Sequence, residues 1–290
     1  GSPIIWSWYL KEKKGLSAVP KLLGEPNTEA LFVLDHWGFE KPAIINKINK
    51  GESVIIVDTN NPAELPENIN DADIQGIIDH HKLVGGLETS GPIDITIRPV
   101  ACTATIMFDL MGDDVSDMPD PIKGLALSCI ISDTLEFRSP TTTSRDREVA
   151  EWLAKDLKID VSDYASKLFR AKSDVSDFSD AELLRMDSKK YPIADLMFRV
   201  SVLETTEPDM IFRRKSSLIE AMETVCAEDS VDHVLFFVVD ILREESTLFV
   251  PNKSVKKVAE KSFGVNVSDN SVLLPGVVSR KKQIIPNLKI

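Results

Sequence analysis

The chain is poor in cysteine, in histidine and in positive charge, and each shortage excludes a class of protein. Its 290 residues hold three cysteines, Cys102, Cys129 and Cys226, far apart and without a Cys-x-x-Cys pair. A disulfide framework or a thiolate zinc site is therefore not expected, and a reducing, cytoplasmic setting is. Lys and Arg number 34 against 46 Asp and Glu, a formal net charge of −12. Diffuse binding to nucleic acid needs many cations to displace counterions from phosphates, so that partner is not expected. No apolar run reaches the roughly 20 residues of a membrane helix, and stretches such as Val234–Val239 have only the length of a strand. No basic-then-apolar leader opens the sequence, and there is neither an internal repeat nor a low-complexity tract. The 43% hydrophobic content is enough for a sizeable core, and at about 150 residues per domain the length predicts two domains.

What is present is an alternation of helix and strand signals. Ser2-Pro3 reads as the start of a helix over Ile4–Lys14 that stops at Gly15. Asn27-Thr28-Glu29 leads into a second helix, Ala30–Trp37, ended by Gly38. Val54–Val57 is a continuous β-branched run, the pattern of a buried parallel strand, and Ile74–Ile78 and Ile93–Ile97 follow as two more. Leu125–Ser132 predicts a buried helix, and Val149, Trp152, Leu153 and Leu157 recur at helical spacing behind Ser144 and Asp146. Such alternation predicts βαβ units and a mostly parallel sheet. At Ala171–Asp180, Ser and Asp displace the apolar pattern. Beyond it come strand patterns at Met197–Val202, Val234–Val239 and Thr247–Val250, and one long helix from Pro208 to Ala227. The expected fold class is α/β: a parallel-sheet domain over 1–172, a flexible linker over 173–180, and a smaller α/β domain over 181–290.

Four features carry chemistry. Asp58 directly follows the first strand, where open α/β sheets bind ligands, although an Asp there also serves as a loop cap. Asp79-His80-His81 ends the second strand, 21 residues later, and holds two of the four histidines. Imidazole is a common transition-metal ligand, and its second nitrogen usually leans on a carboxylate. His36 and His233 lack such company and read as ordinary histidines. Asp133 closes the buried helix, and with Asp58 and His80 it makes a mixed carboxylate and imidazole set that suits Mn²⁺, Mg²⁺ or Fe²⁺. Finally, residues 276–290 carry Arg280, Lys281, Lys282 and Lys289 and no acid, a local +4. Apolar residues on both sides hold this cluster in the fold, and fixed Arg and Lys suit phosphate oxygens. Metal ligands in one half and a fixed cationic cluster in the other describe metal-assisted phosphoryl chemistry.

The runs Val57-Asp58-Thr59-Asn60 and Ile78-Asp79-His80-His81-Lys82 resemble the DHH phosphoesterase superfamily. Ile130-Ile131-Ser132-Asp133-Thr134 with Ser139-Pro140-Thr141-Thr142, and the closing Val278-Ser279-Arg280-Lys281-Lys282-Gln283, narrow the likeness to family II, manganese-dependent inorganic pyrophosphatases. The likeness spans essentially the whole chain. It implies an N-terminal DHH domain that holds two metals and a DHHA2-type C-terminal domain that carries the substrate-binding cations. By this resemblance Asp58 and Asp133 bridge two Mn²⁺ ions per protomer, with Co²⁺ or Mg²⁺ as substitutes. His80 ligates one ion, Asp79 supports it from behind and His81 faces the phosphate. Arg280 and Lys281 clamp pyrophosphate, joined by Lys189, for which the neighbouring Lys190 offers a competing register. The implied reaction is hydrolysis of pyrophosphate to two phosphates by a metal-activated water, in a cytoplasmic homodimer without nucleic-acid or membrane partners.

One element of the family pattern is missing. The family opens with a strand and a His-x-x-Pro-Asp-x-Asp loop, whereas this sequence begins at Gly1-Ser2-Pro3, at the helix that follows. The expectation is a chain one strand and one metal-binding loop short, with weakened activity. Two other readings stay open: a DHH phosphoesterase for polyphosphate or nucleotides, and a metal- or phosphate-binding fragment impaired in catalysis. The first is disfavoured because Gly85-Gly86 is followed by Leu87 and the second half has no Gly-Gly-His. Only 20 residues separate Asp58 from Asp79, which excludes a regulatory CBS insert.

Overall fold

The computed structural model describes residues 1–193 and 195–289 and divides the chain into two compact units, Gly1–Ala171 and Lys172–Ile290. The first unit opens with helices α1 (Ser2–Lys14) and α2 (Thr28–His36). Strands β1 (Ser53–Val57), β2 (Asp73–Asp79) and β3 (Asp94–Ile97) then form a fully parallel sheet in that order. Helices α3 (Thr103–Met111), α4 (Asp120–Thr134), α5 (Ser144–Leu157) and α6 (Val161–Lys172) follow. The register sets Val57 opposite Ile78 and Asp79 opposite Ile97. Asp58 and Asp79 therefore leave the sheet at the same edge, the carboxyl edge. Helix α4 lacks a polar stripe because it is enclosed on all sides, with Leu125, Leu127, Ile130 and Ile131 fully buried.

The local signals behave as their chemistry dictates, with one exchange. Asn27 caps α2 by accepting from the Ala30 amide at 2.9 Å, and Gly15 ends α1 at φ 65°. The expected cap Ser2 instead lies inside α1, where Gly1 holds the cap position. The Ser2 hydroxyl donates to Asp58 Oδ2 at 3.3 Å.

The second unit contains α7 (Asp180–Arg185), β4 (Ser188–Ile193), β5 (Leu196–Thr205), α8 (Pro208–Phe212), α9 (Lys215–Asp229), β6 (His233–Asp240), β7 (Glu245–Phe249), α10 (Lys253–Phe263) and β8 (Ser271–Pro275). Its sheet runs β4-β5-β6-β7-β8, and only the β5–β6 pair is parallel. Each face has its own core. Val200, Phe237 and Leu248 pack under α10 and the C-terminal Ile284, while Phe236 and Val238 pack against Leu218 and Met222 of α9.

The long helix expected over Pro208–Ala227 is two helices, broken at Arg213-Arg214. The Arg214 guanidinium there pairs with Asp180 at 2.6 Å and donates to the Val175 and Phe178 carbonyls. Those bonds draw the expected linker residues onto the second unit, and Ser173 is buried there, 2.8 Å from the Thr206 hydroxyl. Strands β4 and β8 lie at the sheet edges; the lysines and proline of β4 give no strand pattern, and the apolar Val272-Leu273-Leu274 of β8 is only a short run. No helix among the described residues is long and apolar enough to cross a membrane.

Candidate functional site

The carboxyl edge of the first sheet gathers a compact polar cluster. Asp58 sits at φ 68°, in the left-handed region that Asp tolerates better than most residues. Such a conformation costs about 1–3 kcal/mol and persists where the surroundings hold it. Here the Asp58 amide is tied to the Ile78 carbonyl at 2.9 Å. Across the strand ends, Asp58 Oδ1 lies 3.8 Å from His80 Nε2. His80 Nδ1 faces the Val100 carbonyl at 3.3 Å. A carbonyl only accepts, so this contact calls for a hydrogen on Nδ1, and Nε2 is the ring nitrogen turned toward Asp58.

Asp79 has a different role, although its ligand-capable atoms and those of His80 and His81 fall within 4.8 Å of one another. It is fully buried and both its oxygens are engaged. Oδ1 accepts from the His80 amide at 2.7 Å, the His81 amide at 3.1 Å and His81 Nδ1 at 2.8 Å, and Oδ2 accepts from Asn60 Nδ2 at 2.6 Å. Burial pushes its pKa up, but these bonds outweigh burial and hold the carboxylate below its ordinary range. Asp79 thus orients the histidine pair. Burial lowers the pKa of His81, but the Asp79 hydrogen bond and charge overcome it and raise the imidazole above its usual value. Its Nδ1–H is committed to Asp79, which leaves Nε2 as the outward atom of a half-exposed ring.

Asp133, at the end of α4, lines a cavity of about 160 Å³ together with Asp58, Ser132 and Cys129. Two cysteines stand near these carboxylates. Burial, and then the charge of Asp133, pushes Cys102 well above a normal thiol. Burial raises Cys129 to about 11. Asp58, Asp133 and His80 offer carboxylate oxygen and imidazole nitrogen as donors. With metal–ligand bonds of about 2.0–2.2 Å, two donors on one ion stand roughly 3–4 Å apart, so the Asp58–His80 spacing fits a hard divalent cation.

In the second unit the predicted cations share one face of the sheet. Lys189 pairs with Val200, whose side chain belongs to the core under the C-terminal segment. Lys190 pairs with Arg199 on the other face, and its ammonium donates to the Asp229 carbonyl. Arg280 opens a π-helical turn, Arg280–Ile284, whose Val277, Val278 and Ile285 surroundings pack on the Lys189 face. Its guanidinium is fixed by Asp187, through the backbone carbonyl and through Oδ1 at 2.8 Å. The Arg280 side chain is only 11% exposed, and its Nε–H is buried without a hydrogen-bond partner among the described residues. A guanidinium pinned in place suits a phosphate oxygen. Lys281 is exposed on the same turn.

Comparison with known proteins places these motifs. Residues 2–132 match the model of the DHH family, N-terminal domain, and residues 166–289 match the DHHA2 domain. A Deinococcus radiodurans protein named "Probable manganese-dependent inorganic pyrophosphatase" is 39% identical over 97% of this chain and 90% of its own length. A Lactobacillus acidophilus protein of the same name is 34% identical over 99% of this chain and 93% of its own length. The chain belongs to the family II inorganic pyrophosphatases. A solved Methanococcus jannaschii protein assigned to family II inorganic pyrophosphatase superposes with a TM-score of 0.61 at 32% identity, covering 99% of this chain and 92% of that one.

Within this family II chain, sequence reasoning passed over three residues that shape the cluster. Asn60 holds Asp79 and also binds the Lys82 carbonyl at 3.1 Å and the Val84 amide at 2.8 Å. Its position two residues after Asp58 was the available signal. Asp187 pins Arg280 from 93 positions away, and Asp146 reaches from α5 to the loop behind His80. The Asp187 contact has no local signature, and the Thr143–Asp146 spacing marks only a helix cap.

Proposed function

We propose that this chain catalyses the Mn²⁺-dependent hydrolysis of inorganic pyrophosphate to two phosphates. The observation that carries the reading is the Asp58–His80 pair, 3.8 Å apart with His80 Nε2 turned toward the carboxylate, in a member of family II. Asp58, His80 and Asp133 would hold the metal, with the two aspartates shared between two ions. When bound, such ions polarise phosphoryl oxygens and lower the pKa of a coordinated water. Asp79 keeps both histidines in place, and His81, its pKa raised beside Asp79, offers an Nε2–H to a phosphate oxygen. Lys189, Arg280 and Lys281 neutralise the charge that accumulates on oxygens during phosphoryl transfer. The reading extends to a cytoplasmic homodimer, as the family resemblance implies, and the mass in solution by light scattering checks the assembly.

The test is phosphate release from pyrophosphate with and without Mn²⁺, for the chain and for His80→Ala and Arg280→Ala. Loss of a positioned charge stabiliser costs about 10²–10³ in kcat, and each variant is expected to lose at least that. Turnover that survives chelation, or that is untouched by His80→Ala, overturns the reading. Faster cleavage of tripolyphosphate or a dinucleotide than of pyrophosphate overturns the substrate assignment.

A further inference from the structure

Asp146 is fully buried in the first turn of α5. Its Oδ2 accepts from the Thr143 amide at 2.9 Å while its own amide donates to the Thr143 hydroxyl oxygen at 3.3 Å, the capping box of that helix, and Oδ2 also accepts from the Thr143 hydroxyl at 2.6 Å. Capping needs no more than this reciprocal exchange. Yet Oδ2 also accepts from the Ala101 amide at 2.9 Å, and Oδ1 accepts from the Thr105 hydroxyl at 2.7 Å. Both of these bonds leave α5: the first reaches the segment that joins β3 to α3, the second the first turn of α3.

The residue before Ala101 is Val100, whose carbonyl meets His80 Nδ1. The other side of Val100 is pinned as well. Its amide donates to the Arg98 carbonyl at 2.9 Å, and the Arg98 amide donates to the Asp79 carbonyl at 3.3 Å. The Val100 peptide is therefore stretched between the end of β2 and the Asp146 carboxylate. Facing the ring, its carbonyl gives a hydrogen on Nδ1 its acceptor. Should the carbonyl drift, the other tautomer puts a hydrogen on Nε2, where a ligand lone pair is needed.

We infer that Asp146 is a positioning residue for His80, acting through the Ala101 amide and the Val100 carbonyl to fix the tautomer whose Nε2 can bind metal. The inference rests on the reading of His80 as a ligand, and its test separates the two. In the whole chain, Mn²⁺ affinity is measured from the electron paramagnetic resonance signal of free Mn²⁺. The His80 tautomer is read from the ¹⁵N shifts of the metal-free, histidine-labelled protein. Asp146→Asn is expected to weaken Mn²⁺ binding by about tenfold, the lower end for partners that orient metal ligands, and to move protonation from Nδ1 toward Nε2. Thr143→Ala, which removes the helix-capping hydroxyl and leaves the Ala101 bond, is expected to lower the melting temperature and change neither readout.

Unchanged affinity and tautomer in Asp146→Asn overturn the inference. So does an equal loss of affinity in Thr143→Ala, which would make the effect one of α5 stability. If Asp146→Asn does not fold, Thr105→Val gives the milder loss of the same sign, and no loss there overturns the inference too. Unimpaired Mn²⁺ binding by His80→Ala removes the ligand assignment itself, whatever Asp146→Asn does.

Discussion

Gly124, in the interior of α4, is where the packing of the first unit can be tested most sharply. A glycine there is ordinarily a defect, because alanine is favoured by about 0.8–1 kcal/mol in a helix interior. A Cβ on Gly124, however, would stand 2.1, 2.2 and 2.4 Å from Cε2, Cδ2 and Cε3 of Trp37, which lies flat against the helix. Carbon atoms rest at about 3.5–4.0 Å, so the indole must retreat by more than 1 Å, roughly. It is not free to do so. Trp37 Nε1 donates to Tyr164 Oη at 2.8 Å and to Ser128 Oγ at 3.2 Å, and those two hydroxyls are 2.7 Å apart. Overpacking costs about 1–3 kcal/mol, and the disturbed hydrogen bond about 1 more. The propensity gain offsets only part, so Gly124→Ala is expected to destabilise the unit by about 1–3 kcal/mol, or about 2–4 °C per kcal/mol. All four tryptophans, Trp6, Trp8, Trp37 and Trp152, lie in the first unit, so their fluorescence follows its thermal unfolding alone. Removing the indole should reverse the sign: in a Trp37→Ala background the same Gly124→Ala change is expected to stabilise by up to about 1 kcal/mol. A raised midpoint with Trp37 in place, or the same sign in both backgrounds, refutes the reasoning.

Three further outcomes follow from the geometry. Asp146, like Asp79, is pushed up by burial but held below its ordinary range by its donors, Thr143 and Thr105 first, so it stabilises the fold above its unfolded pKa near 3.8 and that contribution disappears as pH falls through the lower folded value. Acid unfolding followed by tryptophan fluorescence should show this steepening, and Asp146→Asn should flatten it; an unchanged slope counts against the assignment. Asp187→Ala releases Arg280 and is expected to raise KM for pyrophosphate more than it lowers kcat, which an unchanged KM in steady-state assays contradicts. Lys189→Ala is expected to slow phosphate release while Lys190→Ala leaves it near wild type, because the two side chains occupy opposite faces of the sheet; equal losses would contradict that division.

Much of this protein is legible in short stretches of sequence because the relevant interactions are local. Val54–Val57 is legible as a continuous β-branched run, and Ile74–Ile78 by its buried Ile74, Ile77 and Ile78 around an exposed Gln75. Asn27 and Gly15 mark helix ends because a side-chain acceptor and a left-handed turn are needed there. The Asp79-His80-His81 triplet stands out because imidazoles beside a carboxylate at a strand end are otherwise rare. The edge strands β4 and β8 escape notice because one side of an edge needs no apolar partner, and the contacts at the Arg213-Arg214 break escape because Asp180, the partner of Arg214, lies 34 positions away. Sequence alone thus determined the fold class, the family and the donor types at the strand ends. Only the tertiary structure showed which lysine shares a face with Arg280, that Asn60 and the histidine amides hold the Asp79 carboxylate, and which nitrogen of His80 faces Asp58. Those choices depend on strand register and on hydrogen bonds between residues tens of positions apart, which packing alone brings together.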